Sequence, residues 1–309
     1  MNLRAITFAA ILAFNPLTGW ATETGGSVDP TGSEGFMTGM LPPPGMYWLN
    51  YLEYYTASRD NNSNGKSSVP GFSVSAVAEA FRFVHVTPLE IMGGNVAWHM
   101  ILPAVNLSVT AAGAKDQNFG VGDITVGPAI GWHGPNLHFV LATDFYLPTG
   151  AYNQKDLANI GRNYYSVQPL VTVTNRFDNG FELSAKLRYT LNTTNSNGEI
   201  TPVNPTGAGY LSGQEAVIDF AAGQIVGDWQ FGVQGYYYRQ VTDDSADNAA
   251  AESLIRTQLK GNRGEAFALG PTAHGEWAGV NFLTTWEHEF MAVNRPEGDR
   301  FWLKTIVHF

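Results

Sequence analysis

Along most of this chain apolar and polar residues alternate one by one, the period of a β-strand with one greasy face. The clearest case is 181–192, where Phe181, Leu183, Ala185, Leu187, Tyr189 and Leu191 alternate with Glu182, Ser184, Lys186, Arg188 and Thr190. Further on, Ala216, Ile218, Phe220 and Ala222 stand against Glu215 and Asp219, and Val280, Phe282, Trp286 and Phe290 against Asn281, Thr285, Glu287 and Glu289. About twelve such segments are predicted by this pattern. They lie near 46–58, 71–87, 94–109, 121–133, 137–147, 163–176, 181–192, 213–223, 228–241, 263–274, 279–291 and 300–309. Helical periodicity is almost absent, and the one predicted helix, Ala249 to Gln258, falls in a loop.

The connections sort into two kinds. Short turns are expected around Pro88–Gly93, Gly134-Pro135-Asn136, Asp178-Asn179-Gly180, Val226-Gly227 and Glu276-Trp277-Ala278. Long polar loops are expected around 60–68, 111–119, 149–162, 193–211, 242–262 and 294–299. The two kinds alternate strictly, which is the layout of an outer-membrane barrel with short periplasmic turns and longer external loops. The predicted fold is therefore all-β, a transmembrane antiparallel up-and-down β-barrel of about 12 strands. An even strand count puts both termini in the periplasm.

The charged face cannot meet lipid, because a charge near the bilayer midplane costs about 2–4 kcal/mol. Glu79 and Arg82 have opposite parity, so a bulge is expected between them. Aromatics near strand ends (Tyr47, Trp48, Tyr51, Trp132, Tyr146, Tyr164, Tyr165, Trp229, Tyr236 to Tyr238, Trp302) are expected to form interfacial girdles.

Composition adds the compartment. Charged residues make up 14% of the chain, about half the usual share of a soluble domain. Lipid around a barrel removes the need for more. Met1-Asn2-Leu3-Arg4, the apolar run Ala5–Phe14 and Gly19-Trp20-Ala21 read as a secretory signal peptide over 1–21. Residues 22–45, rich in Gly, Ser, Thr and Pro, form a periplasmic N-terminal segment, and 46–309 the barrel. The terminal Phe309 closes an alternating strand (Phe301, Leu303, Val307) and is the kind of residue that barrel-assembly machinery reads. A net charge of −10 argues against nucleic acid. The absence of cysteine removes disulfides and thiol chemistry, so a self-closed sheet must supply the stability.

Several ordered segments resemble the outer-membrane family associated with the meta-pathway of phenol degradation. They include Leu41-Pro42-Pro43-Pro44-Gly45 with Tyr47, Gly120-Val121-Gly122-Asp123-Ile124 with Gly127-Pro128, and Leu147-Pro148-Thr149-Gly150 with Tyr152. Next are Leu157-Ala158-Asn159-Ile160-Gly161, Ser212-Gly213-Gln214-Glu215 and Gly235-Tyr236-Tyr237-Tyr238. The last are Gly261-Asn262-Arg263-Gly264, Ala268-Leu269-Gly270-Pro271 and Asn294-Arg295-Pro296 with Phe301-Trp302-Leu303-Lys304. The loop before Tyr210 is longer than the family pattern. The resemblance implies a barrel that admits small hydrophobic or aromatic compounds across the outer membrane of a Gram-negative cell.

Passive transport needs a lumen that replaces water around the solute and a constriction that selects it. Lumen-lining candidates are Asp123, Asp144, Glu182, Lys186, Arg188, Glu215, Asp219, Glu287, Glu289, Arg300 and Lys304. Both signs occur, so these charges either line a channel or pair and fill the interior. Phe36, Met37, Met40 and Leu41 form an apolar stretch that could plug the barrel.

The rival classes are a structural, plugged barrel and an outer-membrane lipid hydrolase. The second requires a nucleophile beside its base, and His288 has no serine two residues away. No catalytic residue, metal site or cofactor is expected: the seven histidines show no ligand spacing, and neither a P-loop nor a G-x-S-x-G elbow occurs. Expected partners are outer-membrane lipid and lipopolysaccharide, the assembly machinery and the small solute, with the protein itself a monomer.

Overall fold

A computed structural model describes residues 26–201 and 204–308. The signal peptide and Phe309 lie outside the described residues. In chain order the strands are β1 (Gly45–Asn61), β2 (Ser73–Ile91), β3 (Gly94–Ala111), β4 (Ala114–Val121), β5 (Ile124–His133), β6 (Leu137–Leu147), β7 (Ser166–Arg176) and β8 (Phe181–Asn192). There follow β9 (Tyr210–Leu211), β10 (Glu215–Val226), β11 (Trp229–Gln240), β12 (Ser245–Ala246), helix α1 (Ala249–Thr257), β13 (Glu265–Trp277), β14 (Val280–Val293) and β15 (Arg295–His308).

Each wall strand pairs antiparallel with its neighbour, and β1 pairs with both β2 and β15, so the sheet closes on itself. β3 pairs with β4 along its second half and with β5 along its first. β4 and β5 therefore act as one wall strand broken at Gly122-Asp123, and the barrel has 12 strands. Closure leaves no open edge, the condition for crossing lipid with strands. The short strands β9 and β12 pair with each other among the loops.

The alternation sets which face is which. In β8, Glu182 and Arg188 are 0% and 1% exposed, whereas Leu183 and Leu187 are 45% and 51% exposed. Polar side chains of this strand point into the barrel and leucines point out to lipid. α1 forms where its sequence allows, with the Asn248 side chain capping the amides of Ala250 and Ala251.

Gly45 and His308 lie at one end of the barrel, with the turns at 92–93, 134–136, 177–180, 227–228 and 278–279. At the other end are the long connections 62–72, 148–165, 193–214 and 241–264. Two of the predicted long loops are strand instead. After the two-residue turn Ala112-Gly113, both at positive φ, β4 runs back along β3 from Ala114. That is hairpin-turn geometry without the Asn-Gly signature that would have announced it. Likewise only Asn294, at φ 51°, separates β14 from β15, and Arg295 already pairs with Asn61.

No bulge separates Glu79 from Arg82. β2 keeps one register with β1 from Val74 to Val86, so Arg82 points inward and Glu79 outward, opposite Leu52. The register shift of β2 comes later, between Val86 and Glu90. The girdle expectation also needs correction. Tyr47, Tyr51, Tyr146, Tyr164, Tyr236, Tyr238 and Trp302 are buried, whereas Trp229, Tyr165 and Trp286 are exposed. The inward tyrosines satisfy their hydroxyls inside: Tyr51 donates to Glu34, Tyr236 to Glu289 and Tyr238 to Glu215.

Candidate functional site

Residues 26–44 run through the lumen from the long-loop end to the short-turn end. Ser27 Oγ donates to Glu215 at 2.5 Å, and Asp29 meets Arg188 at 3.1 Å and Lys186 at 3.4 Å. The Gly32 amide donates to Asp219 at 3.1 Å, and the Gly32 carbonyl accepts from Gln234 at 2.7 Å. Midway, Glu34 takes Lys304 at 2.6 Å on one oxygen, and Arg82 and the Tyr51 hydroxyl, each at 3.0 Å, on the other. Phe36 is 1% exposed and packs with Ala221 and Leu283. The Met37 amide donates to Glu182 at 2.7 Å and the Gly39 amide to Thr174 at 2.9 Å. Met40 and Leu41 line the cavity described below.

The segment leans on one side of the lumen. β8, β10, β11 and β14 present Glu182, Arg188, Asp219, Gln234 and Glu287 to it, and every one of these is less than 2% exposed. Charges pair within this side: Arg188 with Asp219 at 2.5 Å, and Arg176 with Glu182 at 2.8 Å. Nearby, Arg300 meets Glu53 at 2.9 Å and the Thr31 carbonyl at 2.8 Å, and Glu289 accepts from Tyr55, Tyr236 and the Gly298 amide.

The opposite side stays open as a cavity of about 690 Å³. That is within the size range of small-molecule sites. On the side of β2 and β3 its wall is apolar, with Ala76, Ala78 and Ala80 from β2 and Ile101, Pro103, Val105 and Leu107 from β3. It reaches Asn159 and Ile160 in the long loops and Phe282 and Ile306 near the short turns. A polar stripe of Arg82, His99, Asp144 and Lys186 crosses the wall midway.

The predicted lumen charges fall into four settings. Glu182, Arg188, Glu215, Asp219, Glu287, Glu289 and Arg300 are buried on the filled side, Lys186 and Lys304 face both the segment and the cavity, and Asp144 faces the cavity alone. Asp123 sits at the break between β4 and β5, where its carboxylate accepts the amides of Gly150 and Arg162 at 2.9 and 2.8 Å. It braces the loop 148–165 at the cavity mouth. Asp29, Glu34, Glu53, Arg82, His99 and Tyr51 escaped the sequence reading. Glu53 and Tyr51 share the parity of Tyr47 and Leu49, an inward face that is apolar at its start and therefore resembles a lipid face.

The long loops are stitched over the mouth. Ile200 donates to the Gln154 carbonyl at 2.8 Å, and Gln154 Nε2 donates to the carbonyls of Gly198 and Gly207, both at 3.1 Å. Between these loops burial pushes the Glu199 carboxyl up to about 7, against the opposing pull of an Asn159 hydrogen bond and the Arg162 charge.

A closed 12-stranded barrel with an apolar outer face, a partly filled lumen and a cavity along one side defines an outer-membrane β-barrel. The sequence profile of the family described as "Putative MetA-pathway of phenol degradation" matches residues 57–305, and the chain belongs to that family. Among solved structures, an outer membrane channel from Pseudomonas putida F1 superposes with a TM-score of 0.76 at 17% identity, covering 92% of this chain and 100% of that one. The transport unit of the autotransporter AIDA-I from Escherichia coli gives a TM-score of 0.50 at 6% identity, over 89% of this chain and 93% of its own. Both likenesses concern the fold. No curated protein matches the chain.

Proposed function

We propose that the protein passes small hydrophobic or aromatic compounds inward across the outer membrane without energy coupling. The observation that carries this reading is the division of the lumen. The N-terminal segment and its ion pairs occupy one side, while the other keeps an apolar cavity that runs between the two ends. A hydrophilic solute would gain nothing from the apolar side chains of β2 and β3, whereas an aromatic ring loses unfavourable contact with water there. In this reading the long-loop end faces outward and the segment 22–45 acts as the plug that narrows the passage.

In the same reading the solute leaves sideways, into the bilayer, through this wall. Pro103 has no amide to give its neighbour, and Gly122, whose amide donates to the Pro103 carbonyl at 2.9 Å, marks where β4 gives way to β5. Both residues line the cavity. A solute leaving at this seam would never re-enter water.

Uptake into liposomes carrying the purified protein tests the reading, with toluene, phenol, benzoate and glucose as solutes. Faster entry of the uncharged aromatics than into empty liposomes, with no gain for glucose, is the expected result. Entry no faster than into empty liposomes, with the N-terminal segment intact and with it loosened, would leave a plugged structural barrel.

A further inference from the structure

The polar stripe across the cavity contains two unused hydrogen-bonding groups. Arg82 Nε donates to His99 Nδ1 at 3.1 Å, and His99 Nε2 lies 2.8 Å from Asp144 Oδ1. The Arg82 bond makes Nδ1 the acceptor, so the neutral imidazole donates from Nε2 to the carboxylate. Arg82 Nη1 is committed to Glu34 and Tyr51. Among the described residues nothing hydrogen-bonds to Arg82 Nη2 or to Asp144 Oδ2, and both residues line the cavity. The Arg82 side chain is 25% exposed, against 4% for that of His99 and 6% for that of Asp144, so Arg82 opens widest onto the space, Asp144 borders it and the imidazole is held between them.

The site is built around a missing side chain. A Cβ on Gly127 would lie 2.5 Å from the Thr143 carbonyl oxygen, 2.6 Å from Asp144 Oδ1 and 2.9 Å from His99 Nε2, so glycine is what lets both the neighbouring strand and this pair lie against β5. Ala80, Ile101, Ala129 and Ala142 surround the stripe with apolar surface.

From this arrangement we propose that Arg82, His99 and Asp144 form a recognition subsite for an uncharged hydroxylated aromatic compound. The claim deepens the transport reading above and rests on it for the solute's path, though not for binding. A hydroxyl both donates and accepts, so it can use either the Asp144 oxygen or the Arg82 nitrogen, while the ring lies on the alanine wall. A plain hydrocarbon leaves both groups without a partner, and buried groups left so are costly. Net charge is not rewarded: five carboxylates (Asp29, Glu34, Glu53, Asp123, Asp144) and four cations (Arg82, Arg162, Lys186, Lys304) line the cavity and nearly cancel.

Isothermal titration of the full chain in detergent tests this, with phenol, toluene and benzoate as probes and the heats of titration into empty micelles subtracted. The expected result is phenol binding about tenfold more tightly than toluene, the scale of one hydrogen bond to a charged group, with benzoate weaker than phenol. Asp144→Ala should remove the preference for phenol while leaving toluene within about twofold, and Asp144→Asn, which keeps an acceptor, should retain part of it. Toluene binding as tightly as phenol, or Asp144→Ala weakening both alike, overturns the subsite. Benzoate binding more tightly than phenol overturns the claim of an uncharged ligand. Should Asp144→Ala fail to fold, the wild-type comparison and Asp144→Asn still decide. Phenol selectivity without liposome flux would sink the transport reading and spare the subsite, and flux without selectivity would do the reverse.

Discussion

Glu34 and Lys304 are 270 positions apart and meet inside the barrel, with the lysine Nζ 2.6 Å from Glu34 Oε2. The other carboxylate oxygen holds Arg82 and Tyr51, so one acid of the threading segment ties together β1, β2 and β15, the strands that close the barrel. Removing one partner of such a buried group leaves uncompensated charge, a loss of about 3–5 kcal/mol. Glu34→Gln is therefore expected to release the segment part of the time. Single-channel recording in planar bilayers should show larger or more frequent conductance than the wild type; unchanged traces would mean the pair does not hold the segment.

Gly39 gives an independent handle on the same segment. A Cβ there would lie 2.5 Å from the Thr174 amide nitrogen and 2.8 Å from the His138 carbonyl oxygen, both backbone atoms of the wall that cannot yield cheaply. Gly39→Val should keep the barrel and expel the segment. Limited proteolysis would report this as new cleavage before residue 45, and a protection pattern like that of the wild type would count against the docked position.

Arg188 and Asp219 pair at 2.5 Å with side chains 0% exposed. Among the described residues Asp219→Ala leaves Arg188 with Asp29 as its one carboxylate partner, and the barrel should lose about 3–5 kcal/mol. The readout is the temperature at which the folded, fast-migrating form disappears on a semi-native gel. That temperature should fall; no shift would mean the pair is worth little against its desolvation.

Burial raises the Glu199 carboxyl from 4.5 to about 7, so the closed loop holds a proton that a released loop would lose. Loop closure is then strongest below about pH 4.5, weakens as pH rises toward 7, and levels off above it. Hydrogen exchange over 193–201 should be slower at pH 5 than at pH 8 after correction for intrinsic rates. Glu199→Gln should flatten the difference, and a wild type with equal protection at both values refutes it.

The alanine wall should be sensitive to size. Ala80→Trp fills the cavity at the level of the Arg82 stripe. Aromatic uptake into liposomes should drop several-fold while the barrel still folds. Undiminished uptake would place the route elsewhere.

The sequence went furthest where one residue's chemistry depends only on its parity. Glu182, Lys186 and Arg188 face inward because alternation leaves them no other face, and lipid forbids the outer one. The same rule misled at Tyr51 and Tyr236, whose apolar rings look lipid-facing until a carboxylate stands opposite the hydroxyl. Loop lengths failed at 111–119 and 294–299 for a local reason: positive φ closes a tight turn at Ala112, a residue that seldom adopts it, and at Asn294, which adopts it readily but here does so alone, so no loop is left at either place.

What the sequence determined by itself was the barrel: strand period, charge-poor outer face, the twelve crossing segments and the residues able to line a lumen. Each of these is a short-range property, set by neighbours one or two positions away. What only the tertiary structure decided was how the lumen is shared. Glu34 finds Lys304, Asp29 finds Arg188, and His99 finds Asp144 across separations that no local pattern encodes. The segment fills the side where buried acids and amides can satisfy its backbone, and the small apolar residues of β2 and β3 are left facing open space. Barrel closure is the physical reason, because it brings strands from opposite ends of the chain around one shared interior.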